Sequence, residues 1–277
     1  MSNQQRMQGK RVLVTGAGTG IGQGIAREFC REGADVALHY SRSREGAMAI
    51  VEEARREGAA KVEAFQADFD NVDAALRMTE EAIAFLGGID VLVNNAGITM
   101  NRPFEQVTPQ QFDTIYHVNI RGMYFVTQAA VKHMIPRGGG VVVNLTSVHA
   151  YEGYPEHTVY AGTKGAIVAF TRCLAIELAP KGVRVNAIAP GAVEVQAHHE
   201  IFPEYDAQGM GRVIPAGFVG QPVDIAKVAV FLALPDARYL VGQTLIVDGG
   251  TTSWMPFGDG FRQPVGGQFG KKYVPGL

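Results

Sequence analysis

A tyrosine and a lysine stand four residues apart in the run VYAGTKGAIVAF, as Tyr160 and Lys164. A helix brings positions i and i+4 onto one face, so the Lys164 ammonium can lie beside the Tyr160 phenol and favour its ionised form. A phenol ordinarily titrates near ~10, whereas a general base works best with a pKa near the working pH. Ser147 ends an apolar run thirteen residues earlier and would hold a substrate oxygen. The trio predicts carbonyl reduction or alcohol oxidation; the alternative is an aromatic residue packed at a helix edge beside a solvated lysine.

A glycine-rich turn near the amino end predicts a phosphate-binding site. The segment GKRVLVTGAGTGIGQGIAREF begins with a strand-like run and continues after the turn as an amphipathic helix from about Gly22. Gly16, Gly20 and Gly22 permit positive φ and close backbone approach, and the free amides and dipole of a helix start favour a pyrophosphate. Their spacing, Gly-x-x-x-Gly-x-Gly, differs from the commoner Gly-x-Gly-x-x-Gly turn. The position between a strand and a helix still indicates a dinucleotide.

Short β-rich runs alternate with helical patterns along the chain. The seven candidate strands are VLVTG, DVALHY, VEAFQAD, DVLVNNAG, GVVVNLTS, RVNAIAP and QTLIVDGG. This alternation is typical of parallel strands with helices on both faces. We therefore predict an α/β fold, with a single Rossmann-type domain over residues 1–250 and a doubly wound parallel sheet of about seven strands. Ligands bind beyond the carboxyl ends of such strands, where Gly16, Asp68, Asn95, Ser147 and Pro190 stand.

The end of the second candidate strand bears on the choice of cofactor. An acidic residue there would accept hydrogen bonds from the adenosine ribose of NAD, but this chain has Tyr40. Ser41, Arg42 and Arg44 follow, and an arginine can pair with the 2′-phosphate of NADP. The sequence favours NADP, or use of both cofactors. In the alternative interpretation the arginines are the solvated start of a helix that runs to Arg56.

Several motifs in register resemble those of the short-chain dehydrogenase/reductase family. Thr15 to Gly22 looks like its cofactor turn, and Asn94-Asn95-Ala96-Gly97 looks like the motif that ends its fourth strand. Pro190-Gly191 falls where a turn reaches the nicotinamide in that family. The catalytic tetrad of the family falls on Asn119, Ser147, Tyr160 and Lys164. The resemblance covers roughly residues 8 to 250 and implies a nicotinamide cofactor, NADP or NAD.

The resemblance also implies a role for each member of the tetrad. Tyr160 would exchange a proton with the substrate oxygen, and Ser147 would orient that oxygen. Lys164 would lower the phenol pKa and bind the nicotinamide ribose. Asn119 would hold a water that connects the lysine to solvent, unless it only bonds within a bent helix. Asp68 would accept from the adenine amino group. The implied cofactor-binding residues are Gly16, Gly18, Thr19, Gly20, Ile21, Gly22, Tyr40, Ser41, Arg42, Asp68, Phe69, Asn95, Ala96, Gly97, Tyr160, Lys164, Pro190, Gly191 and Val193.

The substrate is indicated by the loops around the catalytic pair. The stretch from Ser147 through His149 to Tyr160 is similar to the glucose 1-dehydrogenases of this family, which implies an aldose substrate. A sugar site needs many hydrogen-bonding groups because each buried hydroxyl must be paired. The candidate substrate-binding residues are Ser147, His149, Tyr154, Tyr160 and Gln196. The alternatives are a 3-oxoacyl thioester reductase and, outside enzymes, a cofactor-sensing regulatory protein.

Two segments of the carboxyl-terminal part have no regular pattern. The pattern of residues 192–217 predicts an irregular, partly helical lid, of the kind that closes over substrates. The adjacent His198 and His199 do not match a known metal-ligand spacing, so we predict no metal. Residues 251–277 carry glycines, prolines and aromatic residues. Because exposed aromatics are unfavourable, we expect this extension to pack on something, such as a neighbouring subunit.

Composition restricts the possible partners and the cellular setting. The 277 residues have 47% hydrophobic content and a net charge of −2, which favours neither nucleic acid nor an anionic membrane as partner. We expect no apolar stretch that approaches the length of a transmembrane helix, and the start lacks the apolar core of a signal peptide, so we expect a cytoplasmic protein. Cys30 and Cys173 fall in predicted helices, which favours buried thiols over a disulfide. Apolar residues on several faces of the helices over 112–134 and 160–179 indicate a homo-oligomer, a dimer or tetramer by the family resemblance.

Overall fold

A seven-stranded parallel sheet forms the centre of the protein. The structure, a computed structural model, describes residues 5–58, 61–202 and 204–255. The strands are β1 (Arg11–Val14), β2 (Asp35–Tyr40), β3 (Val62–Gln66), β4 (Val91–Asn94), β5 (Gly140–Leu145), β6 (Val183–Pro190) and β7 (Thr244–Val247). They lie in the order β3-β2-β1-β4-β5-β6-β7, and each neighbouring pair is parallel. All seven predicted strands are confirmed.

Helices cover both faces of this sheet. They are α1 (Gly20–Arg31), α2 (Arg44–Arg56), α3 (Val72–Leu86), α4 (Pro109–Tyr116), α5 (Met123–Met134), α6 (Thr158–Leu178), α7 (Gln196–Ile201), α8 (Ala207–Gly211) and α9 (Pro222–Ala233). The side chains of β1 alternate between two hydrophobic clusters. Val12 and Val14 join Phe29 of α1 in one cluster, and Leu13 joins the other with Ile83 of α3. The predicted doubly wound α/β fold is therefore confirmed.

The order of the strands opens a crevice between β1 and β4. The chain adds β2 and β3 on one side of β1 and then returns to place β4 on its other side. Thr15, just after β1, ties the two strand ends together: its Oγ1 accepts from the amides of Asn95 and Ala96, each at 3.0 Å. Ligands of open α/β sheets bind at such a reversal. The motifs that follow β1 and β4 therefore meet at the carboxyl edge of the sheet, as predicted.

The helix predicted between Phe112 and Met134 is interrupted. Thr108 and Gln111 form a capping box at the start of α4, and the chain then makes a π-helical turn over His117–Gly122 before α5 continues. Such turns accommodate an extra residue within an otherwise regular helix. Asn119 lies in this turn and is buried.

Helix α6 is longer and more apolar than the sequence analysis assumed. With the turn that follows, Thr158–Lys181 forms a helix long and apolar enough, by length and composition, to cross a membrane. This corrects the expectation that no apolar stretch reaches that length. Only 39% of its apolar window is buried, because one side packs against β6 and another stays at the surface. Tyr160 and Lys164 lie in its first two turns.

Two further expectations concern thiols and the end of the chain. Cys30 is buried in α1, as predicted, but Cys173 is exposed on α6, so the prediction of a buried thiol is wrong there. It faces away from the sheet on the surface side of that helix. Residues 256–277, including Phe257, Phe261, Phe269 and Tyr273, lie outside the described residues, and the packing predicted for this extension stays a prediction.

Candidate active site

The predicted catalytic trio comes together between the end of β5 and the start of α6. Lys164 is buried, and its Nζ donates to the carbonyl oxygen of Leu145 at 2.9 Å. The same nitrogen lies 5.4 Å from the centroid of the Tyr160 ring. Ser147 is buried, its side chain hydrogen-bonds with the Tyr160 phenol, and its Oγ accepts from the amide of His149 at 3.2 Å. Tyr160, Lys164 and Ser147 therefore share one small site.

Burial controls the titration of this pair. Burial raises the pKa of the Tyr160 phenol above its usual 10.0, and the hydrogen bond from Ser147 offsets only part of that rise. Burial also lowers the pKa of Lys164 to about 8. A low-dielectric site disfavours the charged form of both groups. In this structure burial therefore keeps the phenol protonated, and the lowering of its pKa by Lys164 together with a cofactor cation stays a prediction.

Asn119 joins three parts of the site through its side chain. Its Oδ1 accepts from the amide of Ile98 at 2.8 Å, and its Nδ2 donates to the Ile98 carbonyl at 2.9 Å and to Thr163 Oγ1 at 3.1 Å. These partners belong to the segment after β4 and to α6, next to Lys164. The side chain of Asn119 thus bonds across the site rather than within its own bent helix.

Four rings surround the position where a substrate would meet Tyr160. His149 stacks on His157 with centroids 5.2 Å apart and presents its edge to Tyr160 at 5.9 Å. Tyr154 meets the edges of both histidines, at 5.5 and 5.1 Å. Burial, followed by the charge of His157, lowers the pKa of His149, which favours its neutral form. His149 and Tyr154 were predicted from the sequence, whereas His157 was not. We call His149, Tyr154, His157 and Tyr160 the ring cluster.

Gln196 is the predicted substrate residue that stands apart from this cluster. It is the exposed first residue of α7. The neighbouring His199 donates from Nε2 to the Glu194 carboxylate at 2.9 Å, and Gln221 donates to the same carboxylate at 2.8 Å. Within residues 5–58, 61–202 and 204–255, no group of three or more potential metal ligands is present. His199 therefore ties the predicted lid segment to Glu194.

The geometry of the glycine turn lets a ligand approach its backbone closely. Gly16 and Gly20 have φ of +65° and +57°, a region that residues with a Cβ rarely adopt. A Cβ on Gly18 would lie 2.5 Å from the carbonyl oxygen of Ser43, and one on Gly22 would collide with the carbonyl of Gly16. The side chain of Asn95 donates to the Gly16 carbonyl at 3.0 Å. The turn is thus rigid and has no room for side chains.

A cavity of about 560 Å³ lies over this turn. Fourteen of the predicted cofactor-binding residues line it: Gly16, Gly18, Thr19, Gly20, Ile21, Gly22, Tyr40, Ser41, Arg42, Asp68, Phe69, Asn95, Ala96 and Gly97. Tyr160 and Lys164 lie beyond its lining, but a Cβ on Gly97 would lie 3.7 Å from Lys164 Nζ, so the two sites adjoin. Arg42 lines the cavity, whereas Arg44 does not.

The remaining predicted cofactor residues follow β6. Pro190 ends that strand, and the amide of Gly191 donates to the Val247 carbonyl at 2.9 Å. Val193 is buried and pairs with Gly220, and it is Val195, two residues on, that lines the cavity. The role of Val193 in cofactor binding stays a prediction.

Comparison with known proteins agrees with this geometry. Residues 16–252 match the family model described as enoyl-(acyl carrier protein) reductase. Versicolorin reductase 1 of Aspergillus parasiticus is 38% identical over 261 residues, covering 90% of this chain and 99% of that protein. The hydroxynaphthalene reductase-like protein Arp2 of Metarhizium robertsii is 37% identical, covering 89% of this chain and 96% of its own. The chain belongs to the short-chain dehydrogenase/reductase family.

A solved member of this reductase family shows the same fold. The gluconate 5-dehydrogenase of Burkholderia cenocepacia J2315, crystallised with NADP and tartrate, has a TM-score of 0.83 and 32% identity, and the match covers 91% of this chain and 99% of that one. As a short-chain dehydrogenase/reductase, the protein is an NAD(P)-dependent oxidoreductase. The interpretation as a non-enzymatic regulator is therefore set aside.

The residues present fit a nicotinamide dinucleotide. The cradle formed by Gly16, Gly18 and Gly22 leaves backbone amides at the start of α1, where a pyrophosphate is stabilised. Arg42 supplies a cation at the far end of the cavity, and Tyr40 occupies the position of a ribose-binding acid. When bound, the cofactor supplies or accepts a hydride.

Sequence reasoning missed several residues of the cavity. They are His39, Ser43, Asp70, Ile98, Thr114, Val118 and Val195. Ser43, Asp70 and Ile98 directly follow a predicted residue, and Val118 and Val195 lie within two positions of one, so a wider window around each motif would have found them. His39 and Thr114 are different, because a histidine inside a strand and a threonine inside a helix carry no signal of ligand contact. Among the substrate residues, His157 lies three positions before Tyr160 and could have been found as an aromatic neighbour at the same helix start.

Proposed function

We propose that this protein is an NADP(H)-dependent ketone reductase that acts on planar, hydroxylated aromatic substrates. The observation that carries the proposal is the ring cluster of His149, Tyr154, His157 and Tyr160 beside Ser147. Aromatic rings favour flat apolar partners through stacked or edge-on contacts of about 0.5–1.5 kcal/mol each. The similarity to a protein named as a hydroxynaphthalene reductase supports the same substrate class.

Tyr160 can serve as the proton donor of a reduction. A phenol with a raised pKa is protonated at neutral pH and can donate its proton to a ketone oxygen. In the proposed reaction, a hydride reaches the carbonyl carbon, the carbonyl π bond breaks, and the oxygen takes the proton of Tyr160. Ser147 donates to the same oxygen and orients it. Oxidation of an alcohol would instead require the phenolate, which burial disfavours.

We propose supporting roles for the other two members of the tetrad. Lys164, held by the Leu145 carbonyl, faces the ring of Tyr160 and the Gly97 side of the cavity, where it would bind the nicotinamide ribose. Asn119 fixes the segment after β4 against α6 through Ile98 and Thr163. Loss of Asn119 would therefore misplace Lys164 rather than remove a reacting group.

A second candidate is oxidation of an aldose in the manner of a glucose 1-dehydrogenase. It is favoured by a different observation, the structural similarity to a gluconate 5-dehydrogenase crystallised with tartrate. The imidazole of His149 and the hydroxyl of Ser147 could pair sugar hydroxyls. Gln196, however, lies exposed at the start of α7 and away from the ring cluster. Reduction of a 3-oxoacyl thioester is the third activity, and the substrate panel described next includes it.

The experiment measures oxidation of NADPH and reduction of NADP with a panel of substrates. The panel holds a hydroxylated tetralone, its unsubstituted parent, D-glucose, gluconate and an acyl thioester. We expect the aromatic ketones to be reduced with a kcat/KM at least about 100-fold above that of any sugar. Tyr160→Phe should lower kcat about 100-fold or more and retain cofactor binding. Faster oxidation of glucose than reduction of any aromatic ketone would refute the proposal.

A pair of variants tests the ring cluster itself. Tyr154→Ala should raise the KM for the aromatic ketone several-fold, because stacking area is lost. Tyr151→Ala is the matched control: Tyr151 is exposed in the same loop and makes no ring contact among the described residues. Equal effects of the two variants would argue against the cluster as the substrate surface.

A further inference from the structure

We propose that His39 is a positioning residue that holds the glycine turn in its cofactor-binding geometry. The inference rests on the proposed use of a dinucleotide and concerns the part of the site that receives it. His39 lies at the penultimate position of β2 and is 2% exposed. No motif points to it, because a histidine within a buried strand carries no signal of ligand contact.

The imidazole bridges two segments that are distant in sequence. Its Nδ1 accepts from the amide of Gly16 at 3.1 Å, and its Nε2 lies 3.1 Å from the carbonyl oxygen of Ala67. One face of the ring stacks on Phe69, with centroids 4.1 Å apart and planes 6° from parallel. The ring thus joins the glycine turn to the segment after β3, where Asp68 lines the cofactor cavity.

The partners of His39 dictate a single tautomer. A backbone amide can only donate, so Nδ1 must accept; a carbonyl can only accept, so Nε2 must carry the proton. A protonated imidazolium would turn a donor toward the Gly16 amide and lose that bond. Burial lowers the pKa of His39 to about 4, opposed in part by the Ala67 carbonyl and Asp68, which keeps the ring neutral.

Gly16 is held from both sides by side chains of different strands. Its amide bonds to His39 of β2, and its carbonyl accepts from Asn95 after β4 at 3.0 Å. The backbone carbonyl of His39 also accepts from the amide of Ala17 at 2.8 Å. His39 therefore accepts hydrogen bonds from two successive amides of the turn, those of Gly16 and Ala17. The amides from Gly18 onward then keep the direction in which they can meet a phosphate.

Two substitutions separate the two bonds of the ring. His39→Asn puts an amide oxygen near the place of Nδ1 and can still accept from Gly16, whereas it cannot reach Ala67. His39→Gln extends to the place of Nε2 and can still donate to Ala67, but it leaves the Gly16 amide without its acceptor. If the hydrogen bond to the Gly16 amide positions the turn, His39→Asn should keep cofactor binding close to that of wild type, whereas His39→Gln should weaken it.

The first readout is NADPH binding, followed by the fluorescence of the reduced cofactor. We expect the dissociation constant to rise about tenfold in His39→Gln and to stay within about threefold in His39→Asn. The second readout needs no cofactor: hydrogen exchange of the Gly16 amide should be faster in His39→Gln than in wild type and near wild type in His39→Asn. Equal weakening by both variants, or unchanged exchange in His39→Gln, would overturn the proposal.

A measurement on the unaltered protein covers the case in which a variant fails to fold. Nitrogen chemical shifts of the His39 ring at neutral pH should show a protonated Nε2 and an unprotonated Nδ1. A protonated Nδ1 would exclude the hydrogen bond from the Gly16 amide and would refute the inference. If the wild type binds no dinucleotide, the proposed function fails, while the ring shifts and the exchange of Gly16 still decide the role of His39.

Discussion

The ammonium nitrogen of Lys164 lies 5.4 Å from the ring centroid of Tyr160 and donates to the Leu145 carbonyl. The two side chains share a helix face, as their spacing demands. Yet burial outweighs their mutual effect, so the phenol stays protonated and the lysine loses basicity. The pair is arranged to donate a proton.

The titration of Tyr160 tests this arrangement directly. In the cofactor-free protein we expect the phenol to ionise above pH 10.0, because burial disfavours the phenolate. The measurement is an ultraviolet difference titration of wild type against Tyr160→Phe, which isolates one tyrosinate signal. An ionisation clearly below that value would mean that the charge of Lys164 outweighs burial.

Arg42 should decide the preference between the two cofactors. Because it lines the cavity, Arg42→Ala should weaken NADP binding about tenfold or more and leave NAD binding nearly unchanged. Arg44→Ala is the matched control, since Arg44 lies two residues on and outside the lining. Dissociation constants from fluorescence titration give the answer. A parallel loss for NAD would show that Arg42 does not read the 2′-phosphate.

The neutral state of His39 makes the protein sensitive to acid. The folded protein binds this proton with a pKa of about 4, and the unfolded chain with the ordinary 6.5. Unfolding therefore takes up a proton between these values, and stability falls as the pH drops from 6.5 towards 4. Above pH 6.5 the contribution is fully present; its loss amounts to about 3 kcal/mol.

Urea unfolding over a pH series measures this contribution. His39→Asn should flatten the pH dependence between 6.5 and 4 by about one proton relative to wild type. If His39→Asn keeps the wild-type slope, His39 is not the group that titrates.

Arg184 should matter for stability rather than for the reaction. From β6 its guanidinium donates to four carbonyls at and beyond the end of α9, those of Leu232, Ala233, Leu234 and Ala237. Arg184→Leu leaves these carbonyls without that donor and should lower the free energy of unfolding by about 2–4 kcal/mol. Arg238→Leu, at an exposed position, serves as control. A loss below about 1 kcal/mol would contradict the capping role.

The surface side of α6 should lie in a subunit interface. Ile176 is 72% exposed there, on a helix that is apolar on more than one face. We propose that the protein forms a homo-oligomer through this helix, so Ile176→Asp should reduce its mass by light scattering. Val213→Asp, equally exposed at 72% but in the predicted lid, should leave the mass unchanged. A monomeric wild type would refute the interface.

The local parts of the site could be predicted from the sequence, and the parts made by distant contacts could not. Tyr160 and Lys164 share one helix, so their spacing alone fixes their proximity. His39 meets Gly16 and Ala67 across 23 and 28 residues, and only the pairing of β1, β2 and β3 brings them together. The rise of the Tyr160 pKa could not be predicted for a related reason, because the burial that causes it depends on the whole fold.

The fold itself was accessible because each strand is a short apolar run. Five strands lie within their candidate runs, and β1 and β6 begin one residue earlier, since helices on both faces leave the strand interiors largely apolar. The break between α4 and α5 was harder to predict. Its residues continue the helical pattern, and nothing in composition marks the wider turn over His117–Gly122.

That wider turn has a consequence for how the chain tolerates length changes. A π-helical turn is one residue longer than the α-helical path it replaces. Removing a single residue between His117 and Gly122 would let α4 and α5 run on as one regular helix with little disturbance of the core. Each residue advances a helix by about 100°, however, so Asn119 would rotate away from Ile98 and Thr163. Deletion of this one amino acid should therefore leave the protein folded but lower its activity.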